Sequence, residues 1–135
     1  MQKAAFSIIN YQFPNVSIDF SNHKNNELSI SFDTKGVFNS SNSVFELIFG
    51  IKVISSNSES SFVELVCKGD FKFESISALS DVPDFFYRNS IALLFPYVRA
   101  YLSIVTTQAN VPGVILPTLN LTGLEDELKK NTTQI

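Results

Sequence analysis

The order of two hydrophobic repeats does most to constrain the fold of this 135-residue chain. In the first half, apolar and polar residues alternate, which is the pattern of a β-strand with one buried face. The predicted strands are 15–20, 27–33, 44–54 and 62–68. A bulge is expected at Gly69, after which Phe71 and Phe73 continue the last strand. The segments between the strands are short and polar, which favours antiparallel pairing because a parallel pair needs a crossover of about a dozen residues.

A helical repeat follows in the second half, and it contains a proline. Its apolar positions have the i, i+3, i+4 spacing of one helix face and are 91, 94, 95, 98, 102 and 105. Asn89 or Ser90 is the predicted N-cap and Gln108 the approximate end, after a separate helical turn at Pro83. Pro96 lies inside this helix, where proline costs about 3 kcal/mol unless packing compensates. We therefore expect neighbouring side chains to hold the helix in place.

The last part of the sequence predicts one more short helix. Thr122 and Glu125 have the spacing of a capping box, and the chain from Thr132 onward is expected to be frayed. On the long helix, Arg99 is surrounded mostly by apolar residues. We expect it to form a partly buried ion pair between helix and sheet, with a solvated arginine as the alternative.

Strands that precede helices indicate an α+β fold, with about four antiparallel strands, a long helix and a short C-terminal helix on one sheet face. The length suits one hydrophobic core, so we expect a single domain over residues 1–135. Hydrophobic residues make up 44% of the chain and charged residues 17%, where about 25% charged is usual. This balance predicts apolar surface covered by a second copy or by an extended apolar ligand, unless the 13 phenylalanines simply fill the core.

Charge and reactive side chains exclude several classes of function. The net charge is −3 and the lysines and arginines are scattered, so no nucleic-acid surface is predicted. His23 falls in a polar loop and Cys67 on a buried strand face, so a catalytic pair is not expected. Acidic residues form no metal-type cluster and the glycines form no phosphate loop. We expect a cytoplasmic protein that is not an enzyme, needs no cofactor or metal and does not insert into a membrane.

The string from Leu94 to Arg99, Leu-Phe-Pro-Tyr-x-Arg, begins a series of features along the second half of the chain. It precedes a long apolar helix, the loop Val111-Pro-Gly, a second proline at Pro117 and the ending Asn120-Leu-x-x-Leu. In this order the features resemble the C-terminal half of the SecB family of protein-export chaperones, and the strands extend the resemblance to about residues 6–128. The resemblance implies an ATP-independent chaperone that holds unfolded or precursor polypeptides for the Sec pathway and assembles as a homotetramer.

The resemblance also implies three kinds of site. The client-binding groove would be lined by Phe20, Leu28, Ile30, Val111, Ile115, Leu116, Leu124 and Leu128. The docking surface for the export motor ATPase SecA would include Asp19, Glu46 and Glu64, a face that Lys52 and Lys68 make less acidic. The oligomer interface would involve Leu94, Phe95, Pro96, Tyr97 and Tyr101, of which the two tyrosines could instead be ordinary residues at the edge of the core.

Three departures from the family keep two alternatives open. The crossover loop 21–26 is polar and compact, the loop 110–118 is spaced differently, and the chain lacks an acidic tail. One alternative is a SecB-like chaperone dedicated to one client, such as the antitoxin of a toxin-antitoxin system. The other is an oligomeric interaction protein that uses the fold without acting as a chaperone.

Overall fold

The computed structural model describes residues 5–116 and 120–135, which form one mixed sheet and two main helices. Along the chain the elements are β1 (Phe6–Ile18), β2 (Leu28–Asn39), β3 (Val44–Ser55), β4 (Val63–Phe73), α1 (Asp84–Gln108), α2 (Leu121–Lys130) and β5 (Thr132–Gln134). Short 3₁₀ turns lie at Phe20–Asn22 and Leu79–Asp81. The strand order is β1-β4-β3-β2-β5, and all pairs are antiparallel except β2 with β5. The predicted α+β fold is confirmed, with one more strand than expected.

The centre of the sheet follows the predicted alternation. On β3 and β4 the residues that face the helices are wholly or almost wholly buried, namely Phe45, Leu47, Phe49, Ile51, Val53, Val63, Leu65, Cys67, Phe71 and Phe73. The long helix α1 buries Phe86, Ile91, Leu94, Val98 and Leu102. Both sets of residues belong to one hydrophobic core between the sheet and the helices.

The bulge predicted at Gly69 is absent, because β3 and β4 keep their register through the pair Leu47–Gly69. A Cβ atom at Gly69 would lie 3.0 Å from Cδ1 of Leu94. The glycine therefore lets the long helix approach the sheet closely, and it does not interrupt the strand.

Strands β1 and β2 are longer than predicted. β1 begins at Phe6, nine residues before the predicted start at Asn15, and two irregularities in its pairing with β4 disturb the alternation in this region. The segment 35–39, which lies between two of the predicted strands, completes β2. A Cβ atom at Gly36 would lie 2.4 Å from Cζ of Phe45, so the phenylalanine ring occupies the place of a side chain.

Three predictions at the ends of the helices are wrong. α1 begins at Asp84, since the turn after Pro83 continues into the helix and buries Phe86 and Tyr87. The residues of the predicted capping box, Thr122 and Glu125, contact another helix and do not cap α2. The C-terminal residues form β5 and are not frayed, because the backbone N–H of Ile135 donates to the carbonyl of Phe38 at 2.8 Å.

Aromatic side chains flank Pro96, which lies within the continuous helix α1 as predicted. Phe95 stacks on Phe49 with 6.4 Å between ring centroids, and Tyr97 stacks on Tyr11 with 4.2 Å. These rings hold the residues before and after the proline against the sheet and β1. The packing offsets the cost of the hydrogen bond that proline cannot donate.

Candidate functional site

Polar contacts fix α2 between α1 and the edge of the sheet. On the α1 side, the Arg88 side chain makes two contacts with α2. Its Nε lies 3.2 Å from Oε1 of Glu125, and its Nη2 donates to Oγ1 of Thr122 at 3.1 Å. Farther along, Nζ of Lys129 lies 2.6 Å from Oδ1 of Asp84.

On the β2 side, the Glu127 carboxylate accepts hydrogen bonds from the backbone N–H of Thr34 at 3.1 Å and from its hydroxyl at 3.3 Å. The Thr34 hydroxyl is also 3.2 Å from the carbonyl of Leu124. Since Leu128 is the one buried residue of α2, polar contacts contribute much of what positions this helix.

Both β2 and α2, which meet where Thr34 contacts Leu124, carry partly exposed apolar side chains that we call the β2–α2 surface. It consists of Leu28, Ile30 and Phe32 on β2 and Leu121 and Leu124 on α2, all packed at the margin of the core. Three residues predicted to bind clients, Leu28, Ile30 and Leu124, therefore lie on this surface.

The other five predicted client-binding residues lie elsewhere. Leu116 and Leu128 are 2% and 0% exposed and belong to the core, so they support this region from beneath. Val111 is partly buried against the same core. Ile115 is 79% exposed in the segment that follows α1, and Phe20 is 56% exposed in the turn between β1 and β2.

The turn between β1 and β2, which we call the crossover turn, carries Phe20 and is held by ring packing and side-chain hydrogen bonds. His23 stacks on Phe20 with 5.4 Å between ring centroids and meets the edge of Phe62 at 4.8 Å. The Asn22 amide donates to the carbonyl of Ser61 at 3.0 Å, and Ser55 Oγ accepts from the backbone N–H of Lys24 at 2.9 Å. Phe62, the first residue of the predicted fourth strand, is fully buried in contact with these rings.

A second exposed apolar region, the α1 stripe, runs along the outer side of the long helix. It consists of Leu93, Pro96, Tyr97, Ala100 and Ile104. Two of these residues, Pro96 and Tyr97, were predicted at an oligomer interface. The spacing 93, 97, 100, 104 is that of a helix face, so the helical repeat could have identified the rest.

The remaining interface residues predicted from sequence pack inside the subunit. Leu94 is fully buried beneath the sheet, and Phe95 and Tyr101 are partly buried against Phe49 and Phe13. By length and composition α1 could cross a membrane. This is weak evidence, because the core helix of a soluble protein meets the same criteria.

Arg99 is exposed, and no ion pair joins it to any described residue, so the expected helix-to-sheet pair is wrong.

The outer sheet face, turned away from the helices, has balanced charges. Glu46 pairs with Lys68 at 3.1 Å, and Glu64 lies opposite Lys52 in the register of β3 and β4. The face carries four acidic and four basic residues, namely Asp33, Glu46, Glu64 and Asp70 with Lys35, Lys52, Lys68 and Lys72. Oδ1 of Asp19, the third residue predicted to dock SecA, accepts a hydrogen bond from the backbone N–H of Ser21 at 3.1 Å. The acidic character that such docking would use is therefore largely neutralised.

The described residues offer little for covalent or metal chemistry. Burial raises the pKa of the Cys67 thiol to about 12, so this thiol stays protonated at neutral pH. Over the described parts of the chain, no group of three or more histidine, cysteine, aspartate or glutamate residues could hold a metal ion. The β2–α2 surface and the α1 stripe are apolar and partly exposed, and such surfaces are suited to binding polypeptide.

Four antiparallel strands with a crossover turn, a long helix beneath the sheet and a short helix at its edge define a SecB-like fold. The solved SecB-like chaperone Rv1957 of Mycobacterium tuberculosis, in complex with a ChAD peptide from the Rv1956 HigA1 antitoxin, matches with a TM-score of 0.67. The sequences are 14% identical, and the match covers 85% of this chain and 88% of that one. This likeness confirms the SecB-like fold that the sequence predicts.

Two further comparisons add no function. A protein of unknown function from Streptococcus agalactiae matches with a TM-score of 0.47 and 15% identity, over 87% of this chain and all of that one. The uncharacterised protein MJ0357 of Methanocaldococcus jannaschii is 46% identical over 66 residues, 46% of this chain. The match spans 43% of that relative's length. No protein-family model matches the chain.

Proposed function

We propose that this protein is an ATP-independent chaperone that binds non-native polypeptides in the cytoplasm. The observation that carries the proposal is the β2–α2 surface, an apolar and partly exposed region on a SecB-like fold. Phe20 and Ile115, more than half exposed, provide further apolar contacts outside it. The proposal involves no catalytic step, cofactor, nucleic acid or membrane.

Burial of apolar side chains supplies the affinity for an unfolded chain. Each Å² of apolar area removed from water contributes about 25 cal/mol, with little dependence on the client's sequence. One subunit offers five residues on the β2–α2 surface, so a single contact is expected to be weak. Several subunits that hold one client would multiply these contacts through effective concentration.

The α1 stripe supports assembly into a homo-oligomer, for which we propose a tetramer. Leu93, Tyr97 and Ile104 are 46%, 40% and 58% exposed, an arrangement that would be costly if the stripe remained in water. Ile9 and Tyr11 on the neighbouring edge strand β1 are also exposed, at 57% and 42%. A second copy that covers both regions would remove these side chains from water.

A specific observation favours a second candidate, a chaperone dedicated to one client such as an antitoxin. Docking of SecA would use an acidic sheet face, but Glu46 is paired with Lys68 and Glu64 lies opposite Lys52. The solved structure of Rv1957 contains a peptide from an antitoxin. These two points support a dedicated client over a general role in export through the Sec pathway.

The proposal is tested by aggregation of an unfolded model protein in the absence of ATP. The wild-type protein at stoichiometric amounts should suppress the aggregation. Ile30→Asp should weaken client binding by about tenfold or more, since an apolar client cannot solvate the new carboxylate. Ser31→Asp is the matched control, because Ser31 is the next residue on the same strand and points to the opposite face.

Thermal unfolding of each variant checks that the fold is kept. Equal loss of activity in both aspartate variants would contradict the proposed surface. Failure of the wild-type protein to protect unrelated proteins, together with tight binding of one antitoxin-like partner, would favour the dedicated chaperone. Failure to bind any non-native polypeptide would leave only the remaining alternative, an oligomeric interaction protein that uses the fold without acting as a chaperone.

A further inference from the structure

The edge of β2 is divided into a covered and an uncovered part. On the side away from β3, the one described segment that pairs with β2 is the short strand β5, and this pairing covers Gly36–Phe38. The backbone N–H of Thr34 donates to the Glu127 carboxylate at 3.1 Å, and that of Gly36 to the carbonyl of Asn131 at 3.2 Å. Even-numbered residues of β2 thus point their backbone groups away from β3 and toward this edge.

The same alternation directs the backbone groups of Leu28, Ile30 and Phe32 to this edge. None of their N–H groups donates to another residue within the described ranges 5–116 and 120–135. An edge of this kind, with its N–H and C=O groups in a row, is a template for the addition of another strand.

β5 shows how an extended segment binds the neighbouring part of this edge. Its attachment is largely through the backbone, as the N–H of Ile135 donates to Phe38 and its carbonyl accepts from Ser40. The side chains of Thr133 and Gln134 remain exposed, so apolar burial contributes little to this pairing. The edge therefore accepts a polypeptide through main-chain hydrogen bonds that do not depend on sequence.

We propose that the uncovered stretch Leu28–Phe32 binds a segment of the client as an added strand. The added strand cannot extend past Phe32, because Glu127 occupies the N–H of Thr34 and β5 covers the residues that follow. This inference rests on the proposed function and specifies how the client binds. Side chains on one face of the added strand would meet the apolar residues of the β2–α2 surface, while its backbone pairs with β2. Because Glu127 already occupies the N–H of Thr34, the added strand is limited to the five positions of this stretch.

Residue-resolved amide hydrogen exchange tests the proposal, with reduced, carboxamidomethylated lysozyme as the unfolded probe. On addition of the probe, exchange at Leu28, Ile30 and Phe32 should become at least about tenfold slower, as new hydrogen bonds protect these amides. Ser31, whose N–H points to β3, and Gly36, which β5 already covers, serve as internal controls and should not change. Binding of the probe without slower exchange at the three positions would overturn the added strand and leave the proposed function intact.

A pair of variants at Ile30 provides a second test. Ile30→Ala and Ile30→Pro both replace the isoleucine side chain by a smaller one, but only proline removes the backbone N–H, which β3 does not use. Proline is tolerated at such edge positions. The proline variant should bind the probe about threefold to tenfold more weakly than the alanine variant, which corresponds to one hydrogen bond.

Equal affinities of the two variants would contradict the added strand. If the proline variant does not fold, exchange in the wild-type protein still decides the question. Absence of any binding by the wild-type protein would instead reject the proposed function.

Discussion

The centre of the sheet and its β2 edge are stabilised in different ways. At the centre, β3, β4 and α1 exclude water with large apolar side chains such as Phe45, Phe49 and Phe86. At the edge, α2 and β5 are held by one buried leucine, several charged or polar side chains and main-chain pairing. The centre provides a rigid support, and the edge leaves apolar and backbone groups available to a partner. Binding regions in proteins are commonly drawn from such weakly held parts of a structure.

The largest expected effect is at the centre, for Phe45→Ala. The Phe45 ring meets Phe86 with 4.7 Å between centroids and fills the space over Gly36. Its removal leaves a cavity between sheet and helix, which should lower the free energy of unfolding by about 3–5 kcal/mol. Urea denaturation at fixed protein concentration measures this loss. A loss below about 1 kcal/mol would indicate that the centre is not the rigid part of the molecule.

An intermediate effect is expected for Gly69→Ala, where the new Cβ atom would lie 3.0 Å from Cδ1 of Leu94. Overpacking of this kind costs about 1–3 kcal/mol, because the helix or the leucine must shift. Gly123→Ala, in α2, is the matched control, since its Cβ atom would meet nothing within 4 Å. That variant should raise stability by about 0.5–1 kcal/mol through helix propensity. Effects of the same sign at the two glycines would contradict the contrast between close packing at Gly69 and open space at Gly123.

The sequence predicts the centre well because apolar alternation and burial coincide there. The inward residues of β3 and β4 are all apolar apart from Gly69 and Ser55, whereas the outward ones include Glu46, Lys52, Glu64, Lys68, Asp70 and Lys72, so the alternation indicates which face is buried. Gly69 was misread as a bulge, since its role depends on Leu94, a residue far away in sequence. Gly36 was misread as a loop residue for a similar reason, because the ring that replaces its side chain comes from β3.

The edge could not be predicted from local patterns. Thr132–Gln134 has no apolar repeat, and its pairing with β2 follows from the placement of α2. The contact between Thr34 and Glu127 joins residues 93 positions apart without a sequence signal. Leu124 and Leu128 share one helix face, which the spacing predicts, but only the structure shows that Leu128 is buried and Leu124 is partly exposed.

The smallest expected effect concerns Arg88, which joins α1 to α2 at the edge. The side chains of Arg88 and Glu125 are 49% and 25% exposed, so their ion pair is screened by solvent. Arg88→Met should lower stability by only about 0.2–1 kcal/mol, and less at high salt. Arg99→Met is the matched control, an exposed arginine of the same helix that forms no ion pair with the described residues. A difference between the two variants that disappears in molar salt would assign the effect to the contacts with α2. A loss above about 2 kcal/mol for Arg88→Met would mean that polar contacts hold the edge as firmly as apolar burial holds the centre.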